Sequence, residues 1–237
     1  EYDQVLCELY DYCVDNQVPI TAHCVMNGIE AYPGASSDFG KAVFWEEVLR
    51  QDSYRKLRLN LAHFGWNQDP GQGYAGYGSW VKDVCDLIVK YDNVYTDVSN
   101  HGVATAKGRR DFVAGYRQMM CDYSFVIDKV KRRILYGSDW HVLRRVDGYR
   151  GFLKDYERVL KESELFSEDE LGSFRGGNSL EFLGLDAGGR SRARLKTFYQ
   201  THEISEPTWL HAARRHDETP KSRRREAAGT SDAGSRG

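Results

Sequence analysis

Along the first 186 residues, segments whose apolar residues have the spacing of a helix alternate with segments that have the pattern of a strand. Apolar side chains three and four residues apart predict helices at 2–16, 39–51, 80–91, 112–131, 149–161, 167–173 and 178–183. Four short apolar runs predict strands at 18–24, 57–65, 93–99 and 133–141. Because parallel strands need a crossover between them, strands that alternate with helices favour an α/β fold with a parallel sheet.

Each predicted strand carries an ionisable side chain at its end, at His23, His63, Asp97 or Asp139. In α/β folds ligands bind at the carboxyl ends of the strands, so these side chains are candidates for chemistry. Neutral imidazoles with a carboxylate suit Zn²⁺ or a similar divalent ion, which lowers the pKa of a bound water to about 7. A structural interpretation stays open, with each histidine hydrogen-bonded in the core and Asp139 capping a helix.

The composition is that of a globular chain in water. Hydrophobic residues make up 41% and charged residues 29% of the 237 residues, and the mean hydropathy is −0.63. No apolar run approaches the roughly 18–20 residues of a membrane helix, and the first residues lack the pattern of a signal peptide. Five cysteines without a C-x-x-C pair exclude a zinc ribbon and argue against a disulfide framework. We therefore predict a cytoplasmic protein with no membrane partner.

Charge divides the chain into two regions. Residues 187–237 hold 11 Lys and Arg against 6 Asp and Glu, which leaves 22 basic and 29 acidic residues for 1–186. An acidic body is not the footprint of a nucleic-acid enzyme, so we expect no nucleic-acid partner. Few large apolar residues follow residue 186, which predicts one domain at 1–186 and a basic, low-complexity, disordered tail at 187–237. The cations of 221–225 would suit an anionic surface or a nuclear address, although we favour a solvated tail.

A glycine-rich segment follows the second predicted strand. Residues 65–78 contain five glycines in fourteen positions but no Gly-Lys-[Ser/Thr], so the segment is not a phosphate-binding P-loop. A substrate loop and a plain flexible connection both stay open as its role. The sequence Gly137-Ser-Asp departs from G-x-S-x-G, so serine hydrolase chemistry has no support.

Four segments resemble strands five to eight of the amidohydrolase-related family, which belongs to a superfamily of metal-dependent (β/α)₈ barrels. They read ITAHC at 20–24, LNLAHFG at 59–65, NVYTDVS at 93–99 and RILYGSDW at 133–140, and GNSLEFLGL at 177–185 resembles the family's last helix. The likeness covers roughly residues 1–186. It implies a TIM-barrel fold and an activity among the family's hydrolases and metal-dependent decarboxylases.

The resemblance also implies roles for individual residues. His23 matches the family's strand-five metal ligand. Asp139 matches the strand-eight aspartate, which touches the metal and takes a proton from its water. His63 matches the strand-six histidine, which binds a second metal or orients water and substrate. No family role is carried over to Asp97, which we interpret as structural, and His101 and His141 are expected on the surface or behind the site.

The chain departs from the family in its first strand. The His-x-His pair has no counterpart, because no two of the seven histidines lie two residues apart. A barrel of this type takes about 250 residues and eight strands, whereas four strands are predicted here. We therefore expect the half of the barrel with strands five to eight, incomplete at its N-terminus. Two open sheet edges would favour a homo-oligomer.

The leading hypothesis is a metal-dependent hydrolase, with zinc as the expected ion, that acts on a small organic substrate through metal-activated water. The first alternative is a metal-dependent decarboxylase of the same family. The second is a non-catalytic half-barrel that associates with itself or with a partner.

Overall fold

The computed structural model describes residues 2–25, 37–66, 77–99, 101, 106–145 and 149–212. Most of the glycine-rich segment and residues 213–237 lie outside this part of the chain. All five cysteines are free thiols. None of the described helices has the length and apolar character needed to cross a bilayer.

One parallel sheet organises the described residues. Its strands are β1 (Ile20–His23), β2 (Leu59–Ala62), β3 (Val94–Asp97) and β4 (Ile134–Leu135), and they lie side by side in chain order. The α/β class with a parallel sheet is thus confirmed. The strands are shorter than predicted at both ends, and the fourth predicted strand is wrong at 140–141, where the helix Trp140–Leu143 begins. That the sheet is half of a barrel stays a prediction.

All seven predicted helices are present, one of them divided, and the described residues also form three helices, at 140–143, 190–201 and 208–212, that the apolar spacing did not predict. They are α1 (Tyr2–Asn16), α2 (Ala42–Leu49), α3 (Ser79–Lys90), α4 (Ala106–Asp122), α5 (Ile127–Lys131), α6 (Trp140–Leu143), α7 (Phe152–Glu162), α8 (Glu168–Gly172), α9 (Asn178–Leu183), α10 (Arg190–Thr201) and α11 (Thr208–Ala212). The single helix predicted over 112–131 is two helices, α4 and α5. A turn at 123–126 separates them, in which the Tyr123 hydroxyl donates to Asp86 on α3 at 2.7 Å.

The two faces of the sheet are covered differently. Residues in register share a face, and alternate residues along a strand point to opposite faces. Leu59, Leu61, Val94 and Ile134 belong to the main apolar core, which they form with the helices. On the other face, Tyr95 and Leu135 form a small separate cluster with Phe182 of α9. Among the described residues, these three are the buried apolar side chains of that cluster. The remaining positions of that face are largely polar, and they place the candidate site.

The disorder expected from residue 187 onward is wrong for 187–212, where α10 and α11 form. Arg192 is buried and donates to the carbonyl of Leu185 at 3.2 Å and to that of Leu210. Arg190 and Arg194 donate to the carbonyls of Asp15 and Asn16 at the end of α1. The segment 187–212 is thus attached by arginine side chains that donate hydrogen bonds to carbonyls at helix ends. A count of apolar residues does not detect such hydrogen bonds. The domain boundary stays a prediction.

Candidate active site

The carboxyl ends of the strands bring the predicted histidines together. His23 is the last residue of β1 and His63 directly follows β2, and their ring centroids lie 4.9 Å apart at 74°. Burial is the main cause that lowers the pKa of His23, and the neighbouring His63 lowers it further, against the opposing charges of Asp139 and Asp97. His23 is therefore a neutral imidazole at neutral pH, the form that binds a metal.

A left-handed turn fixes the position of His63. His63, Phe64 and Gly65 have φ values of 66°, 56° and 63°, a conformation that costs free energy in residues other than glycine. Gly65 is required here, because a Cβ at this position would lie 2.7 Å from the backbone of Trp80. Its amide donates to the carbonyl of Cys24 at 2.8 Å, which ties the turn to the end of β1. Strain of this kind, held by its surroundings, is typical of functional sites.

The ring of His63 has a defined tautomer. Its Nδ1 lies 3.0 Å from the carbonyl oxygen of Ser99 and 2.9 Å from the Ser99 hydroxyl, which itself donates to Asp97. Because both oxygens accept, Nδ1 carries the proton. The Nε2 atom of His63 therefore presents a lone pair, as it does in histidines that ligate metals or accept protons.

Asp97 is the centre of a buried hydrogen-bond network. One carboxylate oxygen accepts from the amides of His63 at 3.2 Å and Ser99 at 3.0 Å and from the Ser99 hydroxyl. The other accepts from the Asn60 amide group at 2.7 Å. Gly137 makes room for this network, since a Cβ there would lie 3.0 Å from the Asp97 carboxyl carbon. This geometry fits the structural interpretation of Asp97, through which the fold orients His63.

His101 lies behind His63 rather than beside it. Its ring is buried, stacks on Trp66 at 4.4 Å and faces the carbonyl of His63 through Nε2 at 3.1 Å. Since a carbonyl only accepts, Nε2 donates and Nδ1 is left without a partner in the described part of the chain. Burial lowers the pKa of His101 to about 4, so the ring is neutral at neutral pH.

Asp139 occupies the end of the fourth strand segment in a strained conformation. It lies four residues beyond β4 and has a φ of 49°. Its carboxylate oxygen lies 3.2 Å from Nδ1 of His141, whose side chain is 68% exposed against 17% for Asp139. The predicted proton acceptor is thus partly buried, and an exposed imidazole connects it to solvent.

Sequence reasoning missed Asn60, Ser99 and Gly137. Asn60 alone had a usable signal, because a polar residue between two leucines of a buried strand needs a polar partner. Ser99 and Gly137 acquire their roles only when the ends of β3 and β4 meet.

The imidazole nitrogens and the carboxylate at this rim are suitable ligands for a divalent ion, but the described residues do not provide a complete set of ligands. His23 is neutral, His63 has a free lone pair at Nε2, and the carboxylate of Asp139 is near enough to affect the pKa of His23. A catalytic zinc site takes about three protein ligands. Within the described ranges no three His, Cys, Asp or Glu side chains are grouped closely enough to hold a metal. The assignment of His23 and Asp139 as ligands stays a prediction.

Comparison with known families decides the class of this chain. A family model for amidohydrolases matches residues 1–185. The chain belongs to the amidohydrolase family. No significant match is found among curated proteins or among solved structures.

Membership confirms the resemblance carried by the four strand ends. Amidohydrolases have the TIM-barrel fold and usually use divalent metals, so membership indicates a function of the hydrolase or decarboxylase type. The matched range ends within three residues of α9 and leaves α10 and α11 outside.

Proposed function

We propose that this amidohydrolase hydrolyses a small organic substrate at the rim formed by His23, His63 and Asp139. The observation that carries the proposal is the pair of imidazoles 4.9 Å apart at the ends of adjacent parallel strands. Because Nδ1 of His63 is bonded to Ser99, the lone pair of the ring lies on Nε2, for which the described residues provide no hydrogen-bond donor.

The role of each side chain in the proposed reaction follows from its hydrogen-bond partners and its exposure. His63 accepts a hydrogen bond from water or substrate at Nε2, because Nδ1 is engaged with Ser99. Asp139 accepts a proton from the attacking water and passes it towards solvent through His141 at 3.2 Å. Ser99 and Asp97 hold His63 in place and do not touch the substrate.

His23 and Asp139 are the residues that would hold a divalent ion, zinc being the expected one. When bound, such an ion supplies Lewis-acid polarisation of a carbonyl and a water that is nucleophilic at neutral pH. Further ligands would have to come from beyond the described residues.

Metal retention tests the proposed site directly. Zinc content after dialysis is measured by elemental analysis for the wild type, for His23→Ala/Asp139→Ala and for a control, His202→Ala/Asp128→Ala, which removes an exposed histidine and an exposed aspartate. We expect weak retention by the wild type and the control, because two or three ligands bind a metal weakly, and none by the site variant. Equal zinc in all three proteins would contradict the assignment.

A decarboxylase of the same family is the second candidate, since the same residues would polarise a carboxylated substrate without net hydrolysis. Product analysis separates the two. Release of carbon dioxide without uptake of water indicates decarboxylation, whereas formation of an acid and an amine or alcohol indicates hydrolysis.

A non-catalytic, self-associating chain is the remaining alternative. Val5, Leu9 and Tyr12 of α1 are 61%, 48% and 60% exposed, and β1 and β4 are the outer strands of the sheet that the described residues form. Exposed apolar side chains and unpaired strand edges favour association. Light scattering of the 237-residue chain measures its oligomeric state, and a monomer would contradict the self-associating alternative.

A further inference from the structure

A second concave region lies at the opposite end of the sheet from the histidines. It has a volume of about 660 Å³, within the range of about 300–1,000 Å³ that is usual for small-molecule sites. Arg58, Asn93 and Arg133, which line it, directly precede β2, β3 and β4, so the cavity opens at the amino ends of the strands. It is separate from the rim that carries His23, His63 and Asp139.

The lining of this cavity is positively charged. Five cations and three acids line it, a balance of +2 on a body whose residues 1–186 carry an excess of acids. The cations are Arg55, Lys56, Arg58, Lys90 and Arg133. A local charge opposite in sign to that of its surroundings attracts anions selectively.

Most of the acids in the lining are already engaged. Asp92 pairs with Lys129, outside the lining, at 2.7 Å, and Glu181 pairs with Arg133 at 3.0 Å. Lys90 pairs with Glu46, also outside the lining. Among the described residues no carboxylate lies within ion-pair distance of Arg55, Lys56 or Arg58. Three cations are therefore left for a ligand, against the single remaining carboxylate of Asp186.

The guanidinium of Arg58 is held in position before any ligand arrives. Its Nη1 donates to the carbonyl of Phe182 at 2.9 Å, and its Nη2 donates to the side chain of Gln17 at 3.3 Å. Neutral oxygens fix the group without neutralising its charge. A fixed guanidinium loses little conformational entropy on binding, and its planar array of donors matches phosphate and carboxylate oxygens.

Arg133 adds a donor without a partner. Its Nη1 is paired with Glu181, and its guanidinium lies over the ring of Tyr95 at 4.7 Å. Its Nε is buried and has no hydrogen-bond partner among the described residues. A buried N–H without an acceptor costs free energy, which an anionic oxygen would recover if the Arg133 side chain moved towards the cavity.

We propose that this cavity binds the phosphate group of a small phosphorylated molecule. A phosphate monoester carries a charge of about −1.5 to −2 at neutral pH, which matches the balance of the lining, and it has three acceptor oxygens for Arg58, Arg133 and the mouth of the cavity. The volume exceeds that of phosphate alone and leaves room for the group to which it is attached. Arg55 and Lys56 are exposed at the mouth of the cavity, and the Arg55 guanidinium lies 6.0 Å from the centre of the Tyr91 ring. The proposal does not depend on the reaction at the other rim.

Calorimetric titration of the full chain tests the proposal at a fixed ionic strength, with inorganic phosphate, glucose 6-phosphate and glucose as the probes. The variant Arg55→Gln/Lys56→Gln removes two exposed cations that have no ion pair, so folding is preserved, and circular dichroism verifies this. The matched control Arg50→Gln/Lys154→Gln removes one exposed arginine and one exposed lysine that do not line the cavity.

Saturable binding of the two phosphates and none of glucose is the expected result, with a Kd raised about tenfold in the cavity variant and unchanged in the control. Tighter binding of the ester than of phosphate would identify a phosphorylated metabolite as the ligand, and equal binding would identify phosphate itself. Absence of saturable binding by either phosphate overturns the proposal. Equal loss of affinity in both double variants also overturns it, since that result describes a general charge effect.

Discussion

The two ends of the sheet carry opposite chemistry on the same four strands. The carboxyl end presents the Nε2 lone pair of His63 and the partly buried carboxylate of Asp139, in backbone that turns through positive φ at both residues. The amino end presents guanidinium donors, from Arg58 and Arg133, directed at carbonyls and a carboxylate of α9. Hydrogen-bond acceptors thus lie at one end and positive charge at the other, which separates the candidate active site from a surface for anions.

Removing the centre of the carboxyl-end network is expected to have the largest effect. In Asp97→Ala the amides of His63 and Ser99 and the side chain of Asn60 lose their buried acceptor. Because each unsatisfied buried group costs roughly 1–3 kcal/mol, we expect the free energy of unfolding to fall by about 3 kcal/mol or more. Urea unfolding measures the loss.

The amino end offers the control for this change. Asp92 has a side chain that is 86% exposed and pairs with Lys129, so Asp92→Ala should cost less than about 1 kcal/mol. Similar losses for the two aspartate variants would mean that the carboxyl-end network has no special weight in stability.

The second prediction concerns pH and the buried His101. The pKa of His101 is about 4 in the folded protein and about 6.5 in the unfolded chain, so between these values the unfolded chain binds more protons. The contribution of His101 to stability is therefore constant above about pH 6.5, falls as the pH is lowered towards 4, and decreases by about 3 kcal/mol in total across the window. The lowered pKa of His23 acts in the same direction.

Urea unfolding at about pH 7 and about pH 5 measures this slope. His101→Gln keeps a side-chain N–H donor for the His63 carbonyl but does not titrate, so its stability should change less between the two conditions. An unchanged slope in the variant would show that other groups cause the pH dependence.

A smaller effect is expected at the junction of β4 with α9. Asn178 is buried and donates to the carbonyls of Lys131 at 3.1 Å and Ile134 at 2.8 Å. Asn178→Ala leaves both carbonyls without this donor, so we expect a loss of about 2 kcal/mol in unfolding experiments. The neighbouring Ser179→Ala, at a half-buried position, should change stability by less than about 0.5 kcal/mol. The comparison fails if the two variants are equally stable.

The smallest effect is expected for the attachment of α10 to α1. Arg190→Gln/Arg194→Gln weakens hydrogen bonds to the carbonyls of Asp15 and Asn16 on an exposed surface, worth about 1 kcal/mol at most. Faster amide hydrogen exchange within Arg190–Thr201 is the readout. Lys196→Gln on the same helix should leave the exchange rates unchanged. If it accelerates them equally, the two arginines do not hold the helix.

Local patterns were sufficient for most elements and for the strand ends. Tyr2–Asn16 begins and ends where its apolar spacing predicted, and Asn178–Leu183 does the same. The positions of His23, His63 and Asp139 at the carboxyl ends followed from the alternation of strands and helices, because that topology directs parallel strand ends to one rim. Whether His23 and Asp139 bind a metal is still a prediction.

Long-range contacts explain what the patterns did not predict. The helix α10 has few apolar residues, and it is held by carbonyls of α1 that lie about 175 residues earlier in the chain. The cavity at the amino end likewise joins Arg58, Arg133 and Glu181, which no motif connects. Such interactions carry no local periodicity, so a reading of neighbouring residues does not detect them.

The sequence by itself determined the α/β class, the order of the elements and which residue types stand at the strand ends, because helical and strand periodicities are local properties of the chain. Only the tertiary structure decided the tautomer of His63, the burial of His101 and the charge of the cavity beneath β2, β3 and β4. The physical reason is that hydrogen-bond partners, desolvation and electrostatic pairing depend on distances across strands. Those distances are set when the sheet assembles and its two faces are covered.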